Sequence, residues 1–367
     1  MELEADASEP GPPESIQAPL DLRSVALTGL FVLAVFYTAY YARSLVVPVI
    51  LAVMLDFLFS PLVRRLKRAR VPPALSGALV VVGLVTTLSV SIYGLSGPAA
   101  VWMARAPESM RVIESRLERL RRPMERVTRT ADQVEKLTEV TQGAPERGVV
   151  TVQVKDRSAS QMLFGGTQDL LGSALTVFVL LYFLLAAGDM FLTKVIRVLP
   201  KLQDKKRAVQ IARDTEDQIS AYLITTTAIN LVFGVVVGGA MHLLGVPNAV
   251  LWGALAAITN YVPYLGAMAM LVVLSVVAVL HFDDPGSALL VPASFLVLNL
   301  VESALVSPLL VGRQLTLNPV VVFLGVLLWG WLWGFMGALL AVPILATFKI
   351  VCDHVEGLAP VAEFLGP

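Results

Sequence analysis

Eight apolar stretches run through this sequence, and several of them continue for eighteen or more residues with almost no charge. They cover residues 25–41, 45–63, 74–95, 170–187, 219–244, 249–280, 288–310 and 320–350. A helix of about 20 apolar residues crosses the hydrocarbon core of a bilayer. Only 15% of the residues are charged, against roughly 25% in soluble domains. The sequence therefore predicts an all-α polytopic membrane protein, embedded in the lipid bilayer by about six full transmembrane helices and two broken or re-entrant helical hairpins.

Basic residues cluster in two short connections between these stretches. The first holds Arg64, Arg65, Lys67, Arg68 and Arg70, and the second holds Lys194, Arg197, Lys201, Lys205, Lys206 and Arg207. Short loops rich in lysine and arginine stay in the cytoplasm. With both clusters inside, the N-terminus and the C-terminus are predicted to be cytoplasmic, and the polar segment between the third and fourth spans is predicted to be exported.

The predicted organisation has six parts. These are a disordered acidic N-terminal tail (1–22), transmembrane helices 1–3 (23–97), an exported insert (98–168), the fourth transmembrane helix with a basic cytoplasmic linker (169–218), a core of two hairpin units (219–352) and a C-terminal tail (353–367). Neither the single cysteine, Cys352, nor the three histidines indicate a disulfide or a metal site. We predict no cofactor and no nucleic-acid partner.

The exported insert contains an apolar repeat with alternating spacings of three and four residues. Its seam consists of Met110, Ile113, Leu117, Leu120, Met124 and Val127. Such a repeat forms a narrow stripe that packs on another helix. The partner is either the insert itself or the same helix of another subunit. Pro123 is expected to kink this helix, and residues 149–154 alternate like a short strand.

The sixth apolar stretch is interrupted by the sequence NYVPYLG at residues 260–266. Pro263 removes a helical hydrogen bond and Gly266 weakens the next turn. Within lipid, the freed backbone groups need partners, and the side chains of Asn260, Tyr261 and Tyr264 are able to supply them. The stretch is interpreted as a re-entrant helical hairpin with this sequence at its tip. A proline-kinked spanning helix is the alternative.

The last apolar stretch is interrupted in a similar way. Gly334 and Gly337 lie near its middle, and Pro343 follows them. Each interrupted stretch comes after one spanning segment and a short proline-containing link, GVPN at 245–248 or LNP at 317–319. With the predicted topology, the two units have opposite orientations. This predicts an inverted repeat, which many secondary transporters use to build a site near the middle of the membrane.

Two acidic residues lie inside predicted spans. Glu302 is about 12 Å from the predicted cytoplasmic end of its helix, where burial of an acid costs ~2.5–3.5 kcal/mol. It is expected either to face a cavity as part of a solute or ion pathway, or to serve a structural role bonded to Asn299 or to a neighbouring helix. Asp56 is a secondary candidate, expected to form an interfacial ion pair with Arg64 or Arg65. Asn230 is a further polar candidate on the fifth span.

An ordered set of motifs resembles the autoinducer-2 exporter family. The set comprises VPYLG (262–266), Glu302 followed by Pro308, VGR (311–313) with Gly312 and Arg313, LNP (317–319) and GFMGALLAVP (334–343). The resemblance extends from about residue 20 to residue 352. Ala267, Ser303, Ala304 and Asn318 depart from the residues common in the family, which concerns the identity of the substrate more than the fold.

The resemblance implies a secondary transporter of the bacterial cytoplasmic (inner) membrane. It exports a small polar solute such as the quorum-sensing signal autoinducer-2 by alternating access. The hairpin tips are expected to hold the solute, and Glu302 to carry a coupling proton or cation. Sodium(cation)/proton antiport is the alternative within the family. The family is also associated with homo-oligomers, pentamers among them.

Two alternatives come from other classes of protein. One is a passive channel or an assembly scaffold. The other is an intramembrane serine protease, because residues 94–97 read GLSG and His242 is a candidate base. That chemistry needs Ser96 on a strained turn within hydrogen-bond reach of His242.

Overall fold

The computed structural model describes residues 22–135, 159–188, 190–198, 201–311 and 317–366. The described residues form helices and their connections, with no strand among them. The α-helices are α1 (Leu22–Tyr41), α2 (Arg43–Arg68), α3 (Pro73–Glu135), α4 (Ala159–Ala187), α5 (Met190–Val198), α6 (Leu202–Leu243), α7 (Ala249–Thr259), α8 (Leu265–His281), α9 (Pro285–Val301), α10 (Ser307–Val311), α11 (Pro319–Trp333), α12 (Phe335–His354) and α13 (Ala359–Leu365). A π-helical segment (Glu302–Val306) joins α9 to α10, and a 3₁₀ turn (Glu356–Leu358) precedes α13.

Five helices in the described part of the chain are long and apolar enough to cross a membrane. They correspond to Arg43–Arg68, Pro73–Ala104, Lys205–Leu243, Pro285–Leu310 and Phe335–His354. Five further apolar helices are shorter: Ala26–Tyr41, Leu171–Ala187, Ala249–Thr259, Leu265–His281 and Pro319–Trp333. The predicted class, an all-α polytopic membrane protein with two broken stretches, is confirmed.

Helix α3 continues without interruption from the membrane span into the predicted exported insert. It comprises 63 residues, and its backbone is helical on both sides of Pro98 and Pro123. The insert therefore begins inside a helix and not at a helix end. The side chains of the predicted seam and the predicted strand at 149–154 lie outside the described residues.

The contacts divide the chain into two units, Met1–Arg43 and Ser44–Pro367. In the first unit, the Arg43 guanidinium lies 5.4 Å from the centre of the Tyr40 ring. In the second unit, the largest buried cluster joins helices α6 to α9 and includes Phe233, Trp252, Met270, Leu274 and Phe295. A separate cluster joins α2, α3 and α4, and a third joins α2, α6 and α12.

Helices α6 and α7 pack closely because small residues line their contact. A Cβ atom placed on Gly234 would lie 2.7 Å from both the Cβ of Ala257 and the carbonyl oxygen of Gly253. Gly238, one turn after Gly234, also meets Gly253. In lipid, such small residues allow two helix backbones to approach and gain van der Waals contact. This packing holds α7 against the C-terminal part of α6.

The N-terminal part of α6 contacts the ends of two other helices. Arg64 at the end of α2 forms an ion pair with Glu216, and Arg207 donates a 2.8 Å hydrogen bond to the carbonyl oxygen of His354 at the end of α12. The backbone N–H of Asn318 also donates to the carbonyl oxygen of Leu365 (3.0 Å). The N-terminal half of α6 thus contacts the C-terminal ends of both α2 and α12.

Helix α9 begins with a side-chain cap that makes its stability sensitive to pH. The Asp284 carboxylate accepts hydrogen bonds from the Ser287 backbone N–H (2.8 Å) and hydroxyl (3.0 Å), and these bonds hold the pKa of Asp284 below its ordinary value. A lowered folded-state pKa stabilises the fold above the unfolded pKa, and this contribution is lost as the pH falls through the folded pKa. Asp284→Ala is expected to lower the melting temperature at neutral pH, with the difference from wild type shrinking in acid.

Asp284→Asn is the matched control for this cap, because it keeps the capping oxygen and removes the titrating charge. Thermal melts of the three proteins at several pH values give the test. If wild type and Asp284→Ala differ equally at all pH values, the carboxylate charge does not contribute to the cap.

Candidate functional site

The first interrupted stretch is a helical hairpin. Helix α7 ends at Thr259 and α8 begins at Leu265, with Tyr264 between them at a left-handed φ of 63°. Gly266 packs so closely on the carbonyl of Thr259 that a Cβ atom would overlap it. In a continuous helix these two residues would be separated by about 10.5 Å. The chain therefore folds back on itself, which favours the hairpin over the kinked helix.

The second interrupted stretch uses the same arrangement. Gly334 separates α11 from α12 at a φ of 67° and a ψ of −146°, a conformation that favours glycine. Three residues later, Gly337 packs on the carbonyl of Trp329 in α11, where a Cβ atom would again overlap backbone. Both hairpins thus combine a residue of positive φ with a following glycine pressed against the preceding helix.

The first hairpin tip carries a buried polar network with α6. Asn260 donates from Nδ2 to Oδ1 of Asn230 (2.9 Å), and the Tyr261 hydroxyl donates to Oγ1 of Thr227 (2.9 Å). Asn230 is 2% exposed, and its Nδ2 has no hydrogen-bond partner among the described residues. The network contains no charged side chain.

The tip of the first hairpin also touches the second hairpin. Val262 packs in a small cluster with Val326 of α11 and with Ala338 and Ala341 of α12. The rings of Tyr264 and Phe323 meet edge to face at 6.1 Å. The structure therefore brings the two interrupted stretches together through Val262 and Tyr264, the residues on either side of Pro263.

Glu302 lies at the start of the π-helical segment. The backbone N–H of Ser307 bonds to the Glu302 carbonyl oxygen, one residue further than in an α-helix. Pro308 follows directly and has no N–H to donate. The regular α-helical hydrogen-bond pattern is therefore disturbed at this point. The Ser307 hydroxyl donates to Oε1 of Glu302 (3.0 Å). The wider turn thus places a hydroxyl donor on the carboxylate.

A cavity of about 270 Å³ lies between α6 and the α9–α10 segment, and Glu302 lines it. The other lining side chains are all apolar and include Phe233, Leu298 and Val306. Val232 and Leu310, also in the lining, are 63% and 58% exposed, so the cavity opens laterally. Glu302 is half-buried and is the one charged residue among the described residues that line the cavity. Glu302 thus lies against a cavity, and its place in a solute or ion pathway stays a prediction.

Several predicted site residues lie elsewhere. Asn299 is half-buried and makes no hydrogen bond to Glu302 in the described part of the chain, so the proposed Glu302–Asn299 bond is wrong. The expected ion pair of Asp56 is also wrong, because among the described residues Asp56 pairs with neither Arg64 nor Arg65. Arg64 instead pairs with Glu216 and lies 3.7 Å from Asp217. Gly312 and Arg313 are outside the described residues.

Two residues of these sites were not expected from the sequence. Thr227 is one of three successive threonines (225–227), a pattern typical of packing between membrane helices. Ser307 is not part of a recognisable motif. The spacing was the available signal for Ser307, since it lies five residues after Glu302 and directly before Pro308. A proline there forces the preceding N–H groups to find other carbonyls.

The geometry does not support the protease alternative. Ser96 lies within the uninterrupted helix α3, and its hydroxyl donates to the Tyr93 carbonyl oxygen (2.9 Å). A nucleophilic serine needs a base within hydrogen-bond reach. Ser96 therefore lacks the strained turn that the protease alternative needs.

The described helices, the paired hairpins and the polar groups at their contact define a polytopic α-helical membrane protein of the transporter type. Residues 30–357 match the model of the AI-2E family of transporters, and the chain belongs to that family. This confirms the resemblance read from the motifs, over most of the chain.

Two curated relatives match over most of the chain, and a third matches over less than half of it. The chain is 28% identical over 348 residues to the AI-2 transport protein TqsA of Escherichia coli strain K12, covering 94% of this chain and 95% of TqsA. It is 25% identical over 342 residues to YueF of Bacillus subtilis strain 168, covering 87% and 89%. A shorter match to YhhT of E. coli strain K12 is 38% identical over 149 residues, covering 41% and 42%.

Proposed function

We propose that this transporter exports a small polar solute such as autoinducer-2 by alternating access, driven by a proton gradient through Glu302. The observation that carries the proposal is the buried polar network of Thr227, Asn230, Asn260 and Tyr261 at the hairpin tip. It leaves the Asn230 amide with an unused donor. The name of TqsA, an AI-2 transport protein, supports the choice of solute.

The composition of the network favours an uncharged solute. Its side chains are two amides and two hydroxyls, and an amide N–H without a partner costs about 1–3 kcal/mol when buried. A solute carrying hydroxyl or carbonyl oxygens removes that cost by accepting the hydrogen bond. A charged solute gains no opposite charge from these residues.

The surroundings of Glu302 favour a proton over a metal cation as the coupling ion. Hard cations take six or more oxygen ligands or keep bound water. The cavity supplies the Glu302 carboxylate among apolar side chains, with the Ser307 hydroxyl beside it. Protonation neutralises the acid in this apolar setting, whereas a bound sodium ion lacks further ligands from the protein.

Helix α6 connects the two sites. Thr227 and Asn230 belong to the polar network, while Ala228 and Ile229 line the cavity of Glu302. We infer that a change of protonation at Glu302 shifts α6 against the α9–α10 segment. Because α6 also holds the hairpin tip, the same movement alters the solute site.

The proposal includes the predicted orientation, with both termini in the cytoplasm, and the predicted assembly as a homo-oligomer. Contacts of α6 with Arg64 and His354 support a common side for the basic connections and the C-terminus, which the positive-inside rule assigns to the cytoplasm of a bacterial inner membrane. The length of α3 supports a seam that joins subunits in a homo-oligomer.

The experiment that tests the function is solute transport in proteoliposomes. Vesicles holding the purified chain receive a proton gradient, and uptake or release of autoinducer-2 is followed with time. Saturable movement that collapses with the gradient supports the proposal. Sodium-driven proton movement without solute would instead establish sodium/proton antiport, and non-saturating flux without a gradient would indicate a passive channel.

Asn230→Ala is expected to weaken solute transport strongly and leave the folded protein intact. The change removes the unused donor, so the solute oxygen that it would bind is left unpaired. An unpaired buried group costs about 1–3 kcal/mol, or roughly tenfold or more in apparent affinity. Initial rates of transport across solute concentrations measure it. Ser275→Ala is the control, since that hydroxyl bonds only to the Leu271 carbonyl of its own helix. Equal rates in both variants would remove Asn230 from the solute site.

A further inference from the structure

The structure gathers exposed cations at the C-terminal end of α2. This helix ends in the sequence RRLKR, and Arg70 follows in the turn before α3. No acid occurs in the sequence between Asp56 and Glu108. Four of the basic side chains are exposed and form no ion pair with a described residue: Arg65, Lys67, Arg68 and Arg70. The end of α2 therefore carries positive charge that no acid in the described part of the chain pairs with.

Arg64 differs from these four residues, because it holds α2 against α6. Its guanidinium pairs with Glu216 and lies 3.7 Å from Asp217. The Ser220 hydroxyl, one turn after Glu216, donates to the carbonyl oxygen of Phe57 in α2 (2.6 Å). The charge of Arg64 is thus used in the contact between the two helices, whereas the charges of the other four residues are exposed to their surroundings.

Helix α5 adds two more cations, which lie beside apolar side chains. Met190, Lys194 and Arg197 are spaced by four and three residues, so they share one face of the helix, and all three are exposed. Met190 is 48% exposed, and Val198 at the end of the helix is 83% exposed. Cations together with exposed apolar side chains are typical of a helix at the boundary between lipid headgroups and acyl chains.

The length and place of α5 agree with a position at the membrane surface. Its nine residues extend about 13.5 Å, which is too short to cross a hydrocarbon core of about 30 Å. The apolar helix α4 ends at Ala187, Gly188 follows at a left-handed φ of 48°, and α5 begins at Met190. Helix α5 therefore begins where an apolar helix ends.

A cavity of about 420 Å³ brings α5 and the end of α2 together, since Lys67 and Met190 both line it. Two acids, Asp56 and Glu216, line it as well, and Glu216 pairs with Arg64. Asp56 lies eleven residues before Lys67, about 16 Å away along the axis of α2. An anion is therefore disfavoured beside Asp56 and favoured beside the exposed Lys67.

We propose that the end of α2 and the exposed face of α5 form a docking surface for the phosphate headgroups of anionic phospholipids. This basic lipid surface consists of Arg65, Lys67, Arg68, Arg70, Lys194 and Arg197. Basic clusters at the end of a membrane span attract anionic lipids. Lipid is favoured over an acidic protein because both elements lie at the ends of apolar helices, where headgroups are dense. The surface is separate from Glu302 and does not rest on the proposed solute.

The test is binding of fluorescent phosphatidylglycerol to the purified full chain in mixed micelles, with unlabelled lipids as competitors. We expect unlabelled phosphatidylglycerol to displace the probe more effectively than phosphatidylcholine. A cation near an anionic surface changes the affinity about fivefold. Lys194→Gln is therefore expected to weaken binding by about this factor, and Lys67→Gln combined with Lys194→Gln roughly twentyfold. Arg43→Gln is the matched control, because it removes one cation at the first residue of α2, at the other end of that helix.

Equal displacement by the two lipids in wild type overturns the proposal. A loss in Arg43→Gln as large as that in Lys194→Gln also overturns it, because net charge alone would then explain the binding. Displacement by inorganic phosphate or polyglutamate as effective as that by phosphatidylglycerol would assign the surface to a soluble anion or an acidic protein, against the proposal.

The substituted side chains are exposed, so the variants are expected to fold, and their melting temperatures in detergent check this. If the double variant does not fold, Lys194→Gln alone decides: weaker binding supports the surface and unchanged affinity overturns it. Binding is measured without solute or gradient. A failure of this surface is therefore distinguishable from a failure of solute transport.

Discussion

Glu302→Gln is expected to reduce gradient-driven transport to the level of empty liposomes while the protein remains folded. Glutamine keeps the size of the side chain and an oxygen that accepts the Ser307 hydrogen bond. It cannot release or take up a proton at any physiological pH. The substitution therefore separates the role of the ionisable group from the role of the hydrogen bond that holds it.

Proton movement is measured with a pH-sensitive dye inside proteoliposomes, together with solute release. Ser307→Ala is the comparison variant, because it removes the bonded hydroxyl and keeps the carboxylate. We expect a partial loss of rate in that variant and a complete loss of coupling in Glu302→Gln. Unchanged proton flux in Glu302→Gln would assign Glu302 a structural role within the π-helical segment.

Gly266→Ala and Gly337→Ala are expected to be the most damaging small substitutions in the chain. Each added methyl group would overlap a backbone carbonyl, of Thr259 in the first case and of Trp329 in the second. Backbone cannot move aside as a flexible side chain does. Overpacking costs about 1–3 kcal/mol where the surroundings adjust, so we expect at least this loss and a separation of the two helices of each hairpin.

The yield of monodisperse protein and its melting temperature in detergent measure this effect. Gly239→Ala is the matched control, since a Cβ at that position of α6 meets nothing within 4 Å. Alanine also raises helix propensity there, so the control should be as stable as wild type or more. Were Gly266→Ala to melt at the temperature of Gly239→Ala, the close contact at the hairpin tip would be contradicted.

The sequence was sufficient to predict the hairpins but not their contacts. Pro263 and Gly266 break an apolar stretch, and lipid tolerates broken backbone only where protein or water covers it. The carbonyl that each glycine meets could not be predicted, because it depends on the direction in which the chain turns. The equivalent positions of Gly266 and Gly337, each packed on the helix before it, are evident only from the three-dimensional structure.

Partners of charged residues were predicted less well. The sequence placed Asp56 beside Arg64 because they are near each other along α2. The structure pairs Arg64 with Glu216, which is 152 residues away. The distance between two residues of one helix follows from the sequence. Which residue of a facing helix becomes the ion-pair partner depends on tertiary packing. The surroundings of Glu302 were easier to predict, because an isolated acid in an apolar span normally faces a cavity or a polar partner.

The unequal packing of the two hairpins bears on the alternating-access cycle proposed above. Helix α7 packs chiefly on α6, whereas α11 packs chiefly on α12. If the two halves are related by inverted symmetry, one half already displays the geometry that the other half adopts later. The opposite state of the cycle would then have α7 released from α6 towards α8, and α11 transferred from α12 towards α10. The present structure would then show the two end states of the cycle at once, one in each half of the chain.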